Sequence, residues 1–518
     1  MDVIHTDLTM NKVEIEFKRI QTYLFASPKL RAMLGANAAL GQTIRIDLPR
    51  LAKECGAKAD EQIVEKMPNA DARDPIQSIV PHVVDDLVVD DPATLYRNYG
   101  VLVRDGGHFI ATFPDSAQAR LFIERATALI TKALPGILIE ARLNGEKYVQ
   151  SEMGEIPFQH PMFQVSHYLG NQPAENRGVN GDFLSAEEKQ LEEQGRSFRK
   201  TPKDLIALLE GNRLIPCPEE PPQSLKDIVG NDYLALIHAD GNSIGQRYQA
   251  WRSQCTEPEH SLAAETHGER FYHSMRVAVR WALTKALNQV FRDAPERYQL
   301  LMLGGDDLLI ACAASYALPF VCAYAKALSD VPLCDGKPLT IGAGVAIAKH
   351  TFPFYRLHAT AEALADSAKQ RYRTNPDAGS VVDWHITTSA WLEDPIAERR
   401  ADNLTNNFVL SGKPYPVLGT YSLDTLLQQI KNININKEIS RSQLRGLVTS
   451  MRQGKNLAEL AWLELPGQIR HALQQALRHF EEDGLSRSVT GELHISVLPD
   501  LIEILELDRK AQKVECGT

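Results

Sequence analysis

The residues best suited to chemistry stand in one short segment, LMLGGDDLLIAC, residues 301–312. Two glycines and two carboxylates separate apolar runs that are short enough to be strands, and a four-residue connection suits a hairpin. Glycine tolerates a positive φ and lets another molecule approach the backbone, which is the role we assign to Gly304 and Gly305. Asp306 and Asp307 lie side by side at the turn, where a divalent cation would relieve their repulsion. Taken alone, the segment is also typical of a solvated acidic turn.

A third carboxylate, Asp240, ends the apolar run DYLALIHAD. In a split βαβ unit, such a first strand pairs antiparallel with the middle hairpin, so that its end lies beside the hairpin turn. Asp240 then meets Asp306, although 66 positions separate them. Three carboxylates at one sheet edge can hold one or two divalent ions, and two ions about 3.5–4 Å apart suit in-line displacement at phosphorus.

The segment that follows the third carboxylate, GNSIG, predicts a phosphate contact. A Gly-rich turn that leads into a helix N-terminus exposes backbone N–H groups able to bind phosphate. The residues that we assign to this contact are Gly241, Asn242, Ser243 and Gly245. Lys369, late in a predicted helix, is a candidate to contact triphosphate charge, although its spacing alone is typical of a surface lysine.

Two copies of one element order position these residues. The periodicity of the first copy predicts a strand at 13–17, helix within 23–53, a strand, turn and strand at 99–113, a helix at 115–134 and a strand at 136–143. That order, β-α-β-β-α-β, is the ferredoxin-like unit. The second copy is predicted from strands at 232–240, 339–348 and 380–386, the GGDD hairpin, and helices at 261–292, 317–329 and 353–372.

The two copies share a GG turn between apolar strands. VRDGGHFIATF aligns with LMLGGDDLLIAC, and His108 and Phe109 replace the acids in the first copy. This predicts a duplication in which one copy lost its carboxylates, so we interpret His108 as part of a structural turn. His238 lies on the same strand face as Asp240 by alternation, and we assign it a packing role.

The fold class that we predict is α+β, with four parts. Residues 1–150 and 230–390 form the two ferredoxin-like domains, residues 151–229 form a connector rich in Pro, Gly and charge, and residues 391–518 form a C-terminal helical bundle in which strand patterns fade.

Composition excludes several classes of protein. The net charge of −10 argues against binding nucleic acid through the overall field, so RNA contacts are expected to be local or shared with partner subunits. No apolar run reaches the length of a membrane span, and the N-terminal residues contain no signal-peptide core, so we expect a soluble cytoplasmic protein. Seven cysteines, an odd number without a CxxC motif, argue against a disulfide framework or a zinc ribbon.

The whole pattern resembles the large subunit of type III CRISPR effector complexes, which carries two ferredoxin-like palm domains and a C-terminal helical domain. The resemblance rests on the acid-ended strand, the GGDD hairpin and the later helix with Lys369. Four further segments resemble that family in order: IQTYLFASPKLRAMLGANAALGQ, FQVSHYLGNQPAE, AIAKHTFPFYRLHATAEALADSAKQ and KPYPVLGTYSLDTLL.

The resemblance implies an activity and partners. ATP would be converted to cyclic oligoadenylates when the complex binds target RNA, with two Mg²⁺ or Mn²⁺ ions held by Asp240, Asp306 and Asp307. Lys369, Gly304 and Gly305 would lie at the nucleotide. The partners implied are other effector subunits, guide RNA and target RNA.

The sequence departs from the family in three respects. Many members begin with an HD phosphohydrolase domain that cuts DNA, but no adjacent His-Asp pair occurs here, so we expect no DNase activity. Zinc-binding cysteines of the connector are missing from VSHYLGNQ. Where relatives often have Asp-x-Asp, this chain has Asp240, Gly241 and Asn242, which leaves one acid fewer.

Two other functions stay open from the sequence. One is a stand-alone cyclic nucleotide synthase, although Asp-Leu follows GGD where the diguanylate cyclase motif has Glu-Phe. The other is a non-catalytic scaffold, which clustered carboxylates disfavour because their repulsion costs stability. The base preference, ring size and linkage of a product are not encoded in any pattern that we identify.

Overall fold

A computed structural model describes most of the chain. The described residues are 10–82, 87–150, 166, 174–177, 181–197, 205–220, 222–230, 233–258, 261–387, 396–397, 399, 404, 408–435, 441–478, 480, 485–490 and 493–515. Nearly all of the segment FQVSHYLGNQPAE, on which part of the resemblance rests, lies outside these residues.

The first sheet has the ferredoxin-like strand order. Its strands are β1 (Asn11–Lys18), β2 (Val101–Val103), β3 (His108–Phe113), β4 (Leu138–Leu143) and β5 (Glu146–Gln150). The order is β2-β3-β1-β4-β5, and β1 pairs antiparallel with both β3 and β4. Val13, Ile15 and Phe17 of β1 are buried, as the alternation in VEIEF predicts. The edge strand β5, which is mostly exposed, was not predicted.

The helices of the first unit are shorter than predicted. They are α1 (Ile20–Leu24), α2 (Leu30–Gln42), α3 (Leu48–Glu54), α4 (Glu61–Val64), α5 (Pro92–Tyr99) and α6 (Ser116–Ala133), with a π-helical turn at Thr43–Asp47 and a 3₁₀ helix at Pro75–His82. The predicted stretch 23–53 is therefore interrupted between α1 and α2. Pro28 lies in that gap, and a proline disfavours helical conformation in the residue before it.

The connector contains small elements. They are β6 (Asn176–Arg177), β7 (Phe183–Leu184), α7 (Ala186–Ser197), α8 (Leu205–Gly211) and α9 (Leu225–Val229). Helix α7 packs tightly against α2, since a Cβ on Gly35 would stand 1.8 Å from the carbonyl oxygen of Leu191.

The second sheet repeats the order of the first. Its strands are β8 (Tyr233–Gly241), β9 (Tyr298–Gly304), β10 (Asp307–Ala313), β11 (Ile341–Lys349) and β12 (Val381–Ile386), with the short β13 (Phe408–Val409) elsewhere and β14 (Tyr415–Pro416) at the edge. The sheet order is β14-β12-β11-β8-β10-β9. The central order β11-β8-β10-β9 matches β4-β1-β3-β2 of the first sheet, and this agrees with the predicted duplication.

Four helices cover the second sheet. They are α10 (Ile244–Arg252), α11 (Leu262–Val290), α12 (Ala314–Ser329) and α13 (Phe354–Thr374). The helix N-terminus expected after the GNSIG turn is that of α10, whose extent was not predicted. Alternate residues of β8 belong to different cores: Ala235 and Ile237 pack in the core that contains α11 and α12, whereas Leu234 and Leu236 pack in the core shared with α13 and the first unit.

The C-terminal part is not wholly helical, which corrects the prediction. Its helices are α14 (Leu423–Ile435), α15 (Arg441–Gln453), α16 (Lys455–Glu464), α17 (Gly467–Leu477) and α18 (Leu498–Glu515). Strands β15 (Arg487–Thr490) and β16 (Leu493–Ile495) form a three-stranded sheet with β13. Strands of two to four residues give too little alternation to be detected from sequence. Among the described residues, no helix is long and apolar enough to cross a membrane.

Buried charges join the two units. Arg280 of α11 donates to Asp74 and Asp90 of the first unit, and all three side chains are almost fully buried. Arg276, one turn earlier, donates to Asp90 at 3.0 Å and to Glu269 at 2.6 Å. Burial lowers the pKa of Arg280, but the two carboxylates outweigh it and raise that pKa above its usual range. Each buried charge at this interface is stabilised by an oppositely charged partner, and removing one partner would leave the other charge buried and unpaired.

Candidate functional site

The GGDD segment forms a two-residue hairpin turn. Gly304 pairs with Asp307, which leaves Gly305 and Asp306 at the tip. Gly305 has a φ of +62°, at the first turn position, where a type II′ hairpin favours glycine. A Cβ on Gly304 would meet no atom within 4 Å, so the hairpin surface is open to a ligand there.

The third carboxylate lies beside this turn, as the topology predicts. Strands β8 and β10 are antiparallel, with Leu308 opposite Ala239, so that Asp240 stands next to the start of β10. Asp306 packs onto Gly241: a Cβ on that glycine would stand 2.7 Å from Oδ2 of Asp306. A side chain at position 241 would therefore displace Asp306, which is a packing reason for glycine at this position.

Asp306 is held in its protonated form near neutral pH. Burial raises its pKa, and the neighbouring carboxylates of Asp240 and Asp307 and a hydrogen bond with Asp240 raise it further, to about 8. Two carboxyl groups in contact share one proton because both cannot ionise without strong repulsion. A divalent cation would take the place of that proton.

Lys369 reaches the site because its helix packs closely on β11. Its Nζ donates to Oδ2 of Asp240. Two glycines of β11 permit the approach of α13: a Cβ on Gly344 would stand 2.0 Å from the carbonyl oxygen of Ala361, and one on Gly342 would stand 2.5 Å from Cγ of Lys369. The spacing of Lys369 alone is typical of a surface lysine, but the structure places its ammonium on the carboxylate of Asp240.

Asp307 makes contact with the first unit. Its Oδ2 accepts a long hydrogen bond from Nε2 of Gln21, at 3.4 Å. Its Oδ1 lies 3.8 Å from Nε2 of His238, whose two ring nitrogens are buried without a hydrogen-bond partner among the described residues. The ring of His238 stacks on His358 at 6.0 Å, and burial, followed by the neighbouring histidine, lowers the pKa of His358 to about 4.

The GNSIG turn is only partly available to phosphate. The backbone N–H of Asn242 donates to the carbonyl of Thr340 at 2.8 Å, and its side-chain amide faces Thr340 and Gly379. Sheet pairing continues past Asp240 and uses the backbone N–H of Asn242. That N–H is therefore not available for the predicted phosphate contact. Ser243, with a φ of 56°, begins α10 without a side-chain cap, and Gly245 is exposed.

Both GG turns open onto one cavity between the two units, of about 580 Å³. Gly106 and Gly107 of the first unit and Gly304 and Gly305 of the second line it, together with Asp306, Asp307 and His108. Its other charged lining residues include Arg45, Arg252, Glu269 and Arg276. The space is large enough for a nucleotide-sized ligand, since ligand pockets commonly span about 300–1,000 Å³.

The first turn has no carboxylate at the positions of Asp306 and Asp307, and its one acid, Asp105, lines the cavity paired with Arg45 at 2.7 Å. His108 and Phe109 occupy the positions of Asp306 and Asp307, and Ile15, opposite Phe109, occupies that of Asp240. Phe109 and Ile15 are fully buried. His108 lies 3.9 Å from Glu14 and remains partly exposed at the cavity. The second unit therefore offers two adjacent carboxylates at its turn, whereas the acid at the turn of the first unit, Asp105, is held by Arg45.

The donor set of the acidic wall suits a hard divalent cation, which prefers carboxylate oxygens. Within the described ranges, no three Asp, Glu, His or Cys side chains are arranged to hold an ion as they stand. Asp240 is paired with the ammonium of Lys369, and the raised pKa of Asp306 keeps a proton on that carboxyl near neutral pH. Cation binding therefore requires that both be displaced.

Sequence reasoning missed the residues that close the cavity. Gln21, Tyr272, Glu269 and Arg276 had not been selected. The seven-residue spacing of Glu269 and Arg276 on one helix places them on one face and is a signal that could have been read. Nothing in the sequence around Gln21 points to Asp307, which lies 286 residues later.

Comparison with known proteins identifies the second unit. Residues 233–376 match the family described as Cas10/Cmr2, second palm domain. These residues therefore carry a palm domain of that kind, and the resemblance to the large subunit of type III effector complexes is confirmed. No match was found among curated proteins.

Solved structures also resemble the chain. An apo Csm1-Csm4 cassette matches at 12% identity with a TM-score of 0.39, over 71% of this chain and 53% of that chain. A Csm1-Csm4 cassette in complex with pppApApA matches at 11% identity with a TM-score of 0.46, over 97% of this chain and 70% of that one. This chain thus spans about half the length of the apo structure's chain.

Proposed function

We propose that this protein is a nucleotidyltransferase subunit of a type III CRISPR effector complex, which converts ATP to cyclic oligoadenylates when target RNA is bound. The observation that carries the proposal is the convergence of Asp306, Asp307 and the two GG turns on one cavity, with Asp240 behind them. The family of the second palm domain supports the type of complex. Similar solved structures are Csm1-Csm4 cassettes in complex with cA4, with cA3 and with one ATP, which supports an adenine nucleotide as substrate.

The carboxylates are the groups that would hold Mg²⁺ or Mn²⁺, namely Asp240, Asp306 and Asp307. When bound, such ions make a ribose hydroxyl more acidic and neutralise triphosphate charge. Asp306, whose raised pKa of about 8 keeps a proton on it near neutral pH, would exchange that proton for such a cation. Lys369, released from Asp240, is positioned to neutralise charge on the phosphates.

The hairpin and the cavity position the nucleotide. Gly304 leaves the backbone open on the side where phosphate would approach. Burial of the acids keeps water away from the charges and strengthens every electrostatic contact with the reacting groups. The first palm supplies a second wall, where the acid at the turn, Asp105, is paired with Arg45, so that another nucleotide can lie there without a second cation site.

The test is an incubation of the purified protein with labelled ATP and Mg²⁺ or Mn²⁺, with and without partner subunits, guide RNA and target RNA. Cyclic adenylates formed only in the complete RNA-bound complex support the proposal. Product from the lone protein would instead indicate a stand-alone synthase. No product under any condition, with assembly intact, would indicate a scaffold.

The matched variant changes Asp306 and Asp307 together to Ala. Synthesis is expected to be abolished while the complex still assembles, because the two side chains face the cavity and not the outer surface. Residual synthesis in that variant would mean that the cation site is misassigned.

A further inference from the structure

A buried histidine without hydrogen bonds lies beside one of the acids. His238 of β8 is 7% exposed, and neither of its ring nitrogens has a hydrogen-bond partner among the residues that the structure describes. A neutral imidazole carries one donor and one acceptor, and burying such groups without partners is costly. An apolar side chain would fill the same space at lower cost. The packing role expected from the sequence therefore does not explain an imidazole at this position.

The sheet register places this histidine diagonally across from Asp307. His238 stands opposite Leu309 in the pairing of β8 with β10. Asp307 precedes Leu309 by two residues, so its side chain is on the same face of the sheet as that of His238. Nε2 of His238 lies 3.8 Å from Oδ1 of Asp307, about 0.9 Å more than an ordinary N–H···O hydrogen bond. The Asp307 side chain is 34% exposed, so it has room to close this gap.

Neighbouring rings hold the imidazole in place. The ring of His238 stacks on that of His358 at 6.0 Å with an angle of 24° between the planes, and His358 in turn lies 4.8 Å from the ring of Phe25. On its other side in the sheet, His238 is opposite Gly344 of β11. This row of rings limits the movement of the imidazole, so the closing movement must come from the carboxylate.

We propose that His238 is a positioning residue for the cation site: with its proton on Nε2, it donates to Oδ1 of Asp307 when a divalent cation is bound. The inference rests on the proposed function, because it concerns how one of the proposed ligands is oriented. Carboxylates that bind metal ions are commonly held by hydrogen bonds from residues behind them, which direct their remaining lone pairs at the ion.

The donors to Asp307 differ from the donor to Asp240. Nε2 of Gln21 lies 3.4 Å from Oδ2 of Asp307, so this amide and the imidazole of His238 flank the two oxygens of one carboxylate. A neutral imidazole and an amide orient that carboxylate without adding a positive charge that would oppose the cation. Lys369 on Asp240, in contrast, must be displaced. Asp307 is therefore the acid of the cluster that is prepared for a cation without losing a charged partner.

The experiment uses Mn²⁺ alone as the probe and compares three substitutions of His238 in the full chain. In His238→Gln, an amide donor has about the reach of Nε2. In His238→Asn, the amide is one methylene shorter and does not reach Asp307. In His238→Leu, the donor is lost and the volume is nearly kept. Calorimetry measures Mn²⁺ affinity at one pH, and urea unfolding measures the stability of the metal-free proteins.

His238→Gln is expected to keep the Mn²⁺ affinity within about threefold, whereas His238→Asn and His238→Leu are expected to lower it by about tenfold or more. The metal-free His238→Leu protein should be as stable as the wild type or more stable, because an unpaired polar group is replaced by an apolar one. A residue that only packs would not separate stability from metal affinity in this way.

His358→Phe is the matched control. It keeps an aromatic ring in the same row, and the imidazole that it removes pairs with Glu362 at 3.4 Å. Its Mn²⁺ affinity should equal that of the wild type. The electron spin-echo spectrum of Mn²⁺ in the wild-type protein should show no directly bound nitrogen, since His238 acts through Asp307.

Wild-type affinity in both His238→Asn and His238→Leu would overturn the proposal, and so would equal weakening by all three substitutions, since the reach of the donor would then not matter. A directly bound nitrogen that disappears in His238→Gln would make the histidine a ligand and would also overturn it. If His238→Leu does not fold, the comparison of Asn with Gln decides. These results leave the proposed function standing, whereas a wild type that binds no Mn²⁺ would overturn its cation site together with this inference.

Discussion

The ammonium of Lys369 donates to Oδ2 of Asp240, although 129 residues separate them. The pair places a helix-borne cation on the carboxylate that ends the first strand of the second palm. In the absence of a divalent ion, this ammonium and the proton on Asp306 neutralise the acidic cluster. The contact ties the packing of α13 on β11 to the charge balance of the site.

Replacing Lys369 by Met is expected to change cation and nucleotide binding in opposite directions. Without the competing ammonium, Asp240 attracts Mn²⁺ more strongly, and we expect an affinity gain of about tenfold in the nucleotide-free protein. Nucleotide affinity should fall by about tenfold, since one charge-assisted contact is lost. Calorimetry measures both constants. Lys285→Met, which breaks an exposed pair with Asp330, is the control and should change neither.

Asp306→Asn is expected to stabilise the protein while removing synthesis. The folded-state pKa of about 8 lies above the ordinary value of 3.8, so between these values the folded state holds a proton that the unfolded state has lost. Stability due to this group therefore falls as the pH rises from about 4 to 8, by about 1.4 kcal/mol for each pKa unit of the shift. Urea unfolding at several pH values measures the slope. A variant with the wild-type pH slope would contradict the assignment.

Cation binding is expected to release a proton below pH 8. Asp306 must be ionised to act as a ligand, so the affinity for Mn²⁺ should rise up to about tenfold per pH unit until the pKa of about 8 is passed. Titration calorimetry in buffers of different ionisation enthalpy counts the protons released. Asp306→Asn, which has no proton to lose there, should bind weakly and without this pH dependence.

Gly344→Ala is expected to separate α13 from β11. The added Cβ would stand 2.0 Å from the carbonyl oxygen of Ala361, so the helix must shift and carry Lys369 away from Asp240. We expect a loss of about 1–3 kcal/mol in the free energy of unfolding, together with weaker nucleotide binding. Gly446→Ala, in helix α15 with no atom within 4 Å, should instead stabilise by about 0.4–1 kcal/mol. Equal effects of the two substitutions would contradict the packing argument.

Arg280→Met is expected to destabilise the junction of the two palms. It leaves Asp74 and Asp90 buried without one of their cations, which typically costs about 3–5 kcal/mol. Denaturant unfolding measures the loss. Arg125→Met breaks an exposed pair with Glu54 and should cost less than about 1 kcal/mol. If both variants unfold at the same denaturant concentration, the buried pairs are not what joins the units.

The order of the palm elements could be predicted because each strand and long helix carries its own periodicity. The run before Asp240 is apolar except for His238, and the strand is covered on both faces. The short strands β13, β15 and β16 escaped prediction because too few residues alternate in them. The start of helix α10 was predicted from the GNSIG turn, but its extent escaped prediction because its residues are mostly polar and only Ile244 is buried.

The sequence by itself determined the acidic motif, the glycine turn and the split βαβ topology that brings Asp240 to Asp306. These follow from local patterns and from the rule that adjacent strands align their ends. Only the tertiary structure decided that Gln21 and Arg45 of the first palm face the same cavity and that Lys369 lies on Asp240. Such contacts depend on how two separately patterned units pack against each other, and no periodicity within either unit encodes that packing.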